Sequence, residues 1–203
     1  MSIIAIIPAR GGSKRFPRKN IYPLCGRPML FYAIQACRAS RHIDRVFVST
    51  EDDEVRAIAL ECGAEVIDRP KELAGDEVWM QDVMRHAVLT LEQKGLCVDI
   101  VVRIQANSPM VEAEKIDDAI EKLQGQKQKL FEVFSVDQDG YEDAAIHVLQ
   151  RDVVFQNALS VYKAVVTTDY VDVHTPQDLQ EVEKRWGTVL RRKAAQNAVH
   201  PEA

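Results

Sequence analysis

Between residues 7 and 20 the chain reads IPARGGSKRFPRKN: two glycines, five cations (Arg10, Lys14, Arg15, Arg18, Lys19) and no acid. Glycines have no Cβ, so Gly11 and Gly12 predict a turn that adopts φ > 0 and faces its amides inward. Successive inward N–H groups make an anion-binding concavity. Ser13 adds a hydroxyl, and Arg10, Lys14 and Lys19 add full charges. At 4 Å one ion pair is worth ~1 kcal/mol in water and about 4 kcal/mol at an effective dielectric near 20. Such a loop holds a triphosphate tightly only by folding over it and excluding water. Neither G-x-x-x-x-G-K-[ST] nor G-x-G-x-x-G occurs in the chain. On composition alone, a solvated basic loop is the competing reading.

Charge distribution narrows the ligand class. The net charge of the 203 residues is -5, yet residues 1–43 hold eight cations and no acid. The remainder carries 18 cations against 31 acids. An acidic protein with one basic end is a poor general nucleic-acid binder and suits a compact anion. No apolar run nears the roughly 20 residues of a membrane helix. The start, MSIIAII, has no basic n-region and no small-residue cleavage site, so no signal peptide is expected. Cys25, Cys37, Cys62 and Cys97 form no C-x-x-C pair, which fits reduced thiols and a cytoplasmic protein.

The elements that must position the loop alternate. SIIAIIP reads as a strand buried on both faces. Pro28 opens a helix whose Leu30, Ile34 and Cys37 recur at helical spacing. RVFVST is a strand, DDEVRAIALECG a helix ended by Gly63, and AEVIDRP a short strand closed by Pro70. A helix over 79–94, the strand DIVVRIQ, a helix over 112–124 and the strand LFEVFSV follow. This order predicts an α/β fold with a mostly parallel sheet. The loops after Pro8, Thr50 and Gln105 should then share one edge, where open α/β sheets bind ligands. Residues 1–203 read as a single domain. Residues 138–168 are less regular, with strand hints at AIHVLQ and ALSVYKAVV, and the region of about 125–168 reads as a short flap or dimer contact. The tail from 188 is expected to fray after a few helical residues.

The run AIIPARGGSKRFPRKNI resembles the signature I-I-P-A-R-G-G-S-K-x-x-P-x-K-N. That signature belongs to the cytidylyltransferases that activate sialic acid and related 2-keto-3-deoxy sugar acids as CMP derivatives. LCGRPML, VSTED, GAEV with RPKELA, IQANSP and DVHTPQDL follow in the family's order. The likeness is dense over residues 3–124, thinner over 156–185 and poor over 125–155. It implies a Rossmann-like three-layer α/β/α sandwich of the nucleotide-diphospho-sugar transferase type, forming a homodimer. It also implies attack of a sugar-acid hydroxyl on the α-phosphate of CTP, with Mg2+ assisting and pyrophosphate leaving. By motif, Ala9, Arg10, Gly11, Gly12, Ser13 and Lys14 would meet the nucleotide, chiefly its phosphates. Lys19, with Arg10, would serve catalysis, Asn20 would bind ribose or phosphate, and Arg69 and Gln105 would fix the nucleotide and sugar sides. The residues alone leave other readings open. Arg69 could be a surface arginine in a turn, Gln105 could bond a loop backbone, and Asn20 could be a turn residue. Arg15 and Arg18, at variable family positions, are taken as solvated.

Three departures bear on function. Sialic-type relatives read D-x-D-T, with both aspartates on Mg2+, where this chain reads YVDVHTPQDL. In a strand Asp172 and His174 would face the same side, with Thr175 and Pro176 as N-cap and N1 of the next helix. Asp172 is thus the expected metal ligand and His174 an open question, because Mg2+ prefers oxygen. DEVWMQD replaces the small hydroxyl residues that relatives carry after Asp76, and residues 125–170 are shorter than the relatives' sugar-site region. The expected activity is cytidylyl transfer to a sialic-acid-like acceptor. The alternatives are a catalytically reduced nucleotide-binding homologue or a nucleotidyltransferase for another sugar, such as the octulosonic acid of lipopolysaccharide.

Overall fold

A computed structural model describes residues 1–125, 129–157 and 160–196. Strand β1 (Ile3–Pro8) lies at its centre, and its alternating side chains explain why. Ile3, Ala5 and Ile7 enter one apolar cluster, while Ile4 and Ile6 enter another on the opposite face. A strand buried on both faces needs helices on both sides of its sheet. A two-residue ladder of β2 (Pro23–Leu24) and β3 (Arg27–Pro28) then leads into helix α1 (Met29–Ala39). β4 (Arg45–Thr50) and β6 (Ile100–Ile104) flank β1 in parallel, and β5 (Glu65–Asp68) pairs in parallel with β4.

Beyond β6 the sheet continues through β8 (Glu142–Gln150), β7 (Glu132–Val136) and β9 (Lys163–Thr167). β8 is antiparallel to β6 and β7, and β9 is parallel to β7, so six of the seven strands run the same way. LFEVFSV, read as a strand, forms β7, and the less regular region with hints at AIHVLQ and ALSVYKAVV supplies two further full strands of the central sheet, β8 and β9. Residues 158 and 159, at the start of the expected ALSVYKAVV strand, lie outside the described residues.

Helices α1, α2 (Asp53–Glu61) and α4 (Ala113–Gln124) cover the Ile3/Ile7 face. Helix α3 (Met80–Gln93) and a 3-10 turn over Arg151–Phe155 cover the Ile4/Ile6 face. This is the three-layer α/β/α arrangement with a mostly parallel sheet. Helix α5 (Pro176–Gln196) lies outside it, packing Leu179, Val182 and Leu190 with Met29, Phe31 and Tyr32.

Local chemistry sets the helix starts at the ligand edge. Asp52 Oδ1 accepts from the amides of Glu54 and Val55, each at 3.0 Å, capping α2. Thr175 Oγ1 accepts from the Asp178 amide at 3.3 Å, while the Asp178 carboxylate accepts from the amides of His174 and Thr175 at 2.8 and 2.7 Å. With Pro176 as the first helical residue, this reciprocal cap starts α5 as expected. Two expectations need correcting. Residues 188–196 do not fray but complete α5, because Leu190 and Ala194 are buried; residues 197–203 lie outside the described residues. Residues 169–174 form no strand, although Asn107 and Val173 pair through their backbones at 2.9 Å.

Ile6, with no exposed surface, fills the space between β1 and α3. Ile6→Ala should therefore cost about 2–5 kcal/mol, read as a lower urea midpoint at unchanged slope.

Candidate active site

A cleft of about 440 Å3 opens at the C-terminal ends of β1, β4 and β6, where the sequence placed it. Its lining includes Pro8, Arg10, Gly12, Ser13, Lys14, Lys19, Asn20, Arg69, Gln105 and His174. Ala9 is buried directly beneath, its amide bonded to the Ser49 carbonyl at 3.0 Å. Gly12, Arg10, Arg69, Lys14, Lys19, Asn20 and Gln105 are therefore gathered in one place, together with Arg15 at the rim, while Gly11 lies just outside the lining. Asp172 stands immediately behind, in electrostatic contact with Lys19.

Carboxylates that sequence reasoning did not single out hold the cationic loop. Glu51 accepts from the Gly11 amide at 2.9 Å through one oxygen and from Arg69 at 2.7 Å through the other. Arg69 is only 6% exposed and its Nε has no hydrogen-bond partner, so it is a buried strut and not a surface arginine. Asp76 accepts from Arg10 at 2.8 Å and from Lys14 at 2.5 Å, and the two cations hold its carboxyl below the usual range. Arg10 also reaches the Ala74 carbonyl at 3.1 Å. In the free protein, Asp76 thus occupies the cations that face the cleft. The acids were legible only as VSTED and as the aspartate of DEVWMQD; Arg69 lies 18 residues from Glu51, Gly11 lies 40 residues from it, and Arg10 and Lys14 are more distant still from Asp76.

The glycine argument needs revision. The described glycines with positive φ are Gly26, Gly63, Gly95 and Gly140, so neither Gly11 nor Gly12 serves a left-handed turn. Gly11 is required by crowding: a Cβ there would lie 2.6 Å from the Asp52 carboxyl carbon. Its amide is committed to Glu51. A Cβ on Gly12 would meet nothing within 4 Å. Arg18 is not simply solvated either. It takes a left-handed φ of 58°, and its guanidinium meets Asp52 at 2.6 Å and also Glu54, tying the loop to α2. Arg15 stays exposed at the cleft rim.

Asn20, 7% exposed, donates to the Arg10 carbonyl at 2.9 Å and so fixes the loop while lining the cleft. Gln105 does not bond a loop backbone through its side chain; among the described residues that amide makes no protein hydrogen bond and faces the cleft. Burial pushes the Lys19 ammonium down, with Asp172 opposing and Arg15 and Arg10 adding to the effect. Burial pushes the Asp172 carboxyl up to about 6, against a hydrogen bond from Ser108 and with Asp143 adding to the rise. Burial, Lys19 and Arg15 hold the His174 imidazole below its ordinary value, which favours the neutral ring. Among the described residues no three His, Cys, Asp or Glu side chains cluster as a metal site. Asp172 accepts from Ser108, and Lys19 and Arg103 favour its ionised form while burial and Asp143 oppose it.

The three-layer α/β/α arrangement with a cation-lined cleft at its strand ends is a Rossmann-like fold, with the cleft where open α/β sheets bind ligands. The chain belongs to the cytidylyltransferase family, whose model matches residues 4–194. A pseudaminic acid cytidylyltransferase of Campylobacter jejuni is 36% identical over 133 residues, 64% of this chain and 57% of that protein. An N-acylneuraminate cytidylyltransferase A of Danio rerio is 37% identical over 134 residues, 66% of this chain and 30% of that protein. The chain thus spans about half, or less, of the curated relatives it matches. The structure of a CMP:2-keto-3-deoxy-manno-octonic acid synthetase complexed with CTP superposes with a TM-score of 0.75 at 16% identity. That match covers 93% of this chain and all of the other, and it speaks to the fold.

Two outcomes are expected. Gly11→Ala should cost about 1–3 kcal/mol of stability through overpacking against Asp52, whereas Gly12→Ala should leave the urea midpoint nearly unchanged; equal effects would contradict the crowding argument. Because the folded protein holds the Asp172 proton more tightly than an ordinary aspartate, ionising it costs stability as pH rises from about 4 to about 6. The stability of Asp172→Asn relative to the parent should accordingly grow across that window and level off above it. A flat difference in urea unfolding would contradict the assignment.

Proposed function

We propose that the protein transfers a cytidylyl group from CTP to a 2-keto-3-deoxy sugar acid of the sialic-acid type. The observation that carries this reading is the convergence of Arg10, Lys14, Lys19, Arg69 and Gln105 on one cleft beneath an acid-free loop. The acceptor's anomeric oxygen attacks the α-phosphorus, the bond from that phosphorus to the bridging oxygen breaks, and pyrophosphate leaves with that oxygen. Both substrates are anions, so the site must chiefly align them and offset spreading negative charge.

In this reading the Ala9–Lys14 run cradles the triphosphate, with Arg10, Ser13 and Lys14 on its oxygens. Phosphate oxygens displace Asp76 from Arg10 and Lys14. Lys19, kept in a partly desolvated position, meets the charge that develops at the α-phosphate, where a fixed cation does most for the barrier. Asn20 holds the loop and meets ribose or phosphate, Arg69 supports the nucleotide side, and Gln105 donates to the sugar side. Asp172 would hold a divalent ion, Mg2+ by its oxygen chemistry, only together with phosphate oxygens and water. Bound there, the ion supplies Lewis-acid neutralisation of the phosphates.

The chain is further read as one nucleotidyltransferase domain acting in the cytoplasm as a homodimer. Tyr141, Val161, Tyr162 and Val165, large and exposed in the region 125–168, support a dimer contact there. His174 in place of a family aspartate favours a second reading, a homologue that binds CTP without turnover.

Pyrophosphate release with each nucleoside triphosphate against a panel of nonulosonic and octulosonic acids tests the proposal. CTP with a nine-carbon acid should be the productive pair, and Lys19→Met should lower kcat about 10²–10³-fold. Folded protein that is silent with every pair, yet binds CTP, would establish the second reading.

A further inference from the structure

A second cavity, of about 550 Å3, lies on the α3 face of the sheet and shares Met80 with the nucleotide cleft. Its walls are unlike those of its neighbour. Met80, Met84, Leu149, Val153 and Val154 make it largely apolar, and one arginine, Arg103, enters it from the centre of β6. The strand register explains the placement. Val101 packs in the apolar cluster beneath α3, so Arg103, two residues on, faces the same side. Opposite Arg103 on β8 is His147, and opposite Val101 is Leu149.

A half-buried arginine should be paired, and this one is not. Among the described residues Arg103 makes no hydrogen bond and no ion pair; Glu142 and Asp172 act on it only at longer range. The other acid of the cavity, Glu132, is already committed. One of its oxygens is 2.8 Å from His147 Nε2 and the other accepts from the Ser160 amide at 3.2 Å. The cavity therefore presents a guanidinium with no direct ion-pair partner beside an apolar wall, with Glu142 also in its lining, and the free guanidinium can take a carboxylate attached to a partly apolar body.

We propose that this cavity is the acceptor site, with Arg103 anchoring the carboxylate of the incoming acid and the methionine and leucine wall taking its deoxy and acyl carbons. The inference rests on the reading of the chain as a sugar-acid cytidylyltransferase and assigns a residue to it. Asp172 interacts electrostatically with both Lys19 and Arg103. In a 2-keto acid the anomeric carbon is bonded directly to the carboxyl carbon. A carboxylate on Arg103 thus turns the anomeric hydroxyl toward the Lys19 side, where the α-phosphate would lie. Arg103 is in this sense a specificity-determining residue, separate from the triphosphate cradle.

The test uses the full chain and titrates N-acetylneuraminic acid into protein saturated with CMP, with the uncharged sugar N-acetylmannosamine as control. The acid should bind and the neutral sugar should not. Arg103→Gln should weaken the acid by about 10- to 100-fold, as loss of a charge-assisted pair does, while CTP affinity stays within about twofold. Met84→Trp, which fills the cavity from the opposite wall, should block the acid and likewise spare CTP, which keeps the test open if Arg103→Gln does not fold. Acid binding unchanged in both folded variants overturns the site and leaves the cytidylyltransferase reading intact. Equal loss of CTP and acid overturns the separation of the two cavities. Acid that never binds wild-type protein overturns the assignment of this cavity to a sugar acid, whether or not CTP binds.

Discussion

Cations of like sign do not gather in one cleft unless something offsets their repulsion, and the arrangement of the ligand edge follows from how that is done. Glu51 clasps Arg69 and the Gly11 amide, Asp76 clasps Arg10 and Lys14, and Asp172 stands behind Lys19. The three acids differ in what they can release. Glu51 is bonded through both oxygens to a buried guanidinium and a backbone amide, so it is part of the frame. Asp76 meets its partners at the surface, where ion pairs are worth little and exchange readily. Asp172 is held in a setting that disfavours its charge, so a cation brought in with the nucleotide would relieve it. Frame, exchangeable latch and unsatisfied anion are three states of the same chemical group, separated by burial.

That division explains how the cationic loop stays assembled in the fold. Asp52 tightens the assembly from below by capping α2 and binding Arg18 at once, which leaves no room for a side chain at position 11. The cleft next to it is polar and cationic, while the cavity across Met80 is largely apolar, with Arg103 and two glutamates in its lining. Under the proposed function, a polyphosphate and an acid with a carbon body would have two differently built places that share Met80.

Much of this was legible in the sequence, and the limits are physical. The isoleucine run of β1 announces burial on both faces, and Gly63, Thr175 and Pro176 mark helix ends by short-range rules; all were found in place, while the cap by Asp52 emerged only from the structure. The convergence of the loops after Pro8, Thr50 and Gln105 followed from strand alternation. What could not be read were pairings set by the fold, such as Glu51 with Gly11 and Arg69, or Arg18 with Asp52, since no local pattern names a partner so distant. The reason for Gly11 was misjudged for the same cause: crowding by another segment leaves no mark on the glycine's own neighbourhood. Arg103 was passed over inside an apolar strand because only the register of β6 against β8 shows that it enters a cavity.

The central claim is that the 9–20 loop surrenders its hold on Asp76 to close over a triphosphate. A crystal structure of the protein with CTP tests it most directly. The account requires the β- and γ-phosphates against Arg10, Ser13 and Lys14, with Asp76 released from both cations and the α-phosphate beside Lys19. Nucleotide seated elsewhere, with Arg10 and Lys14 still clasping Asp76, would contradict it.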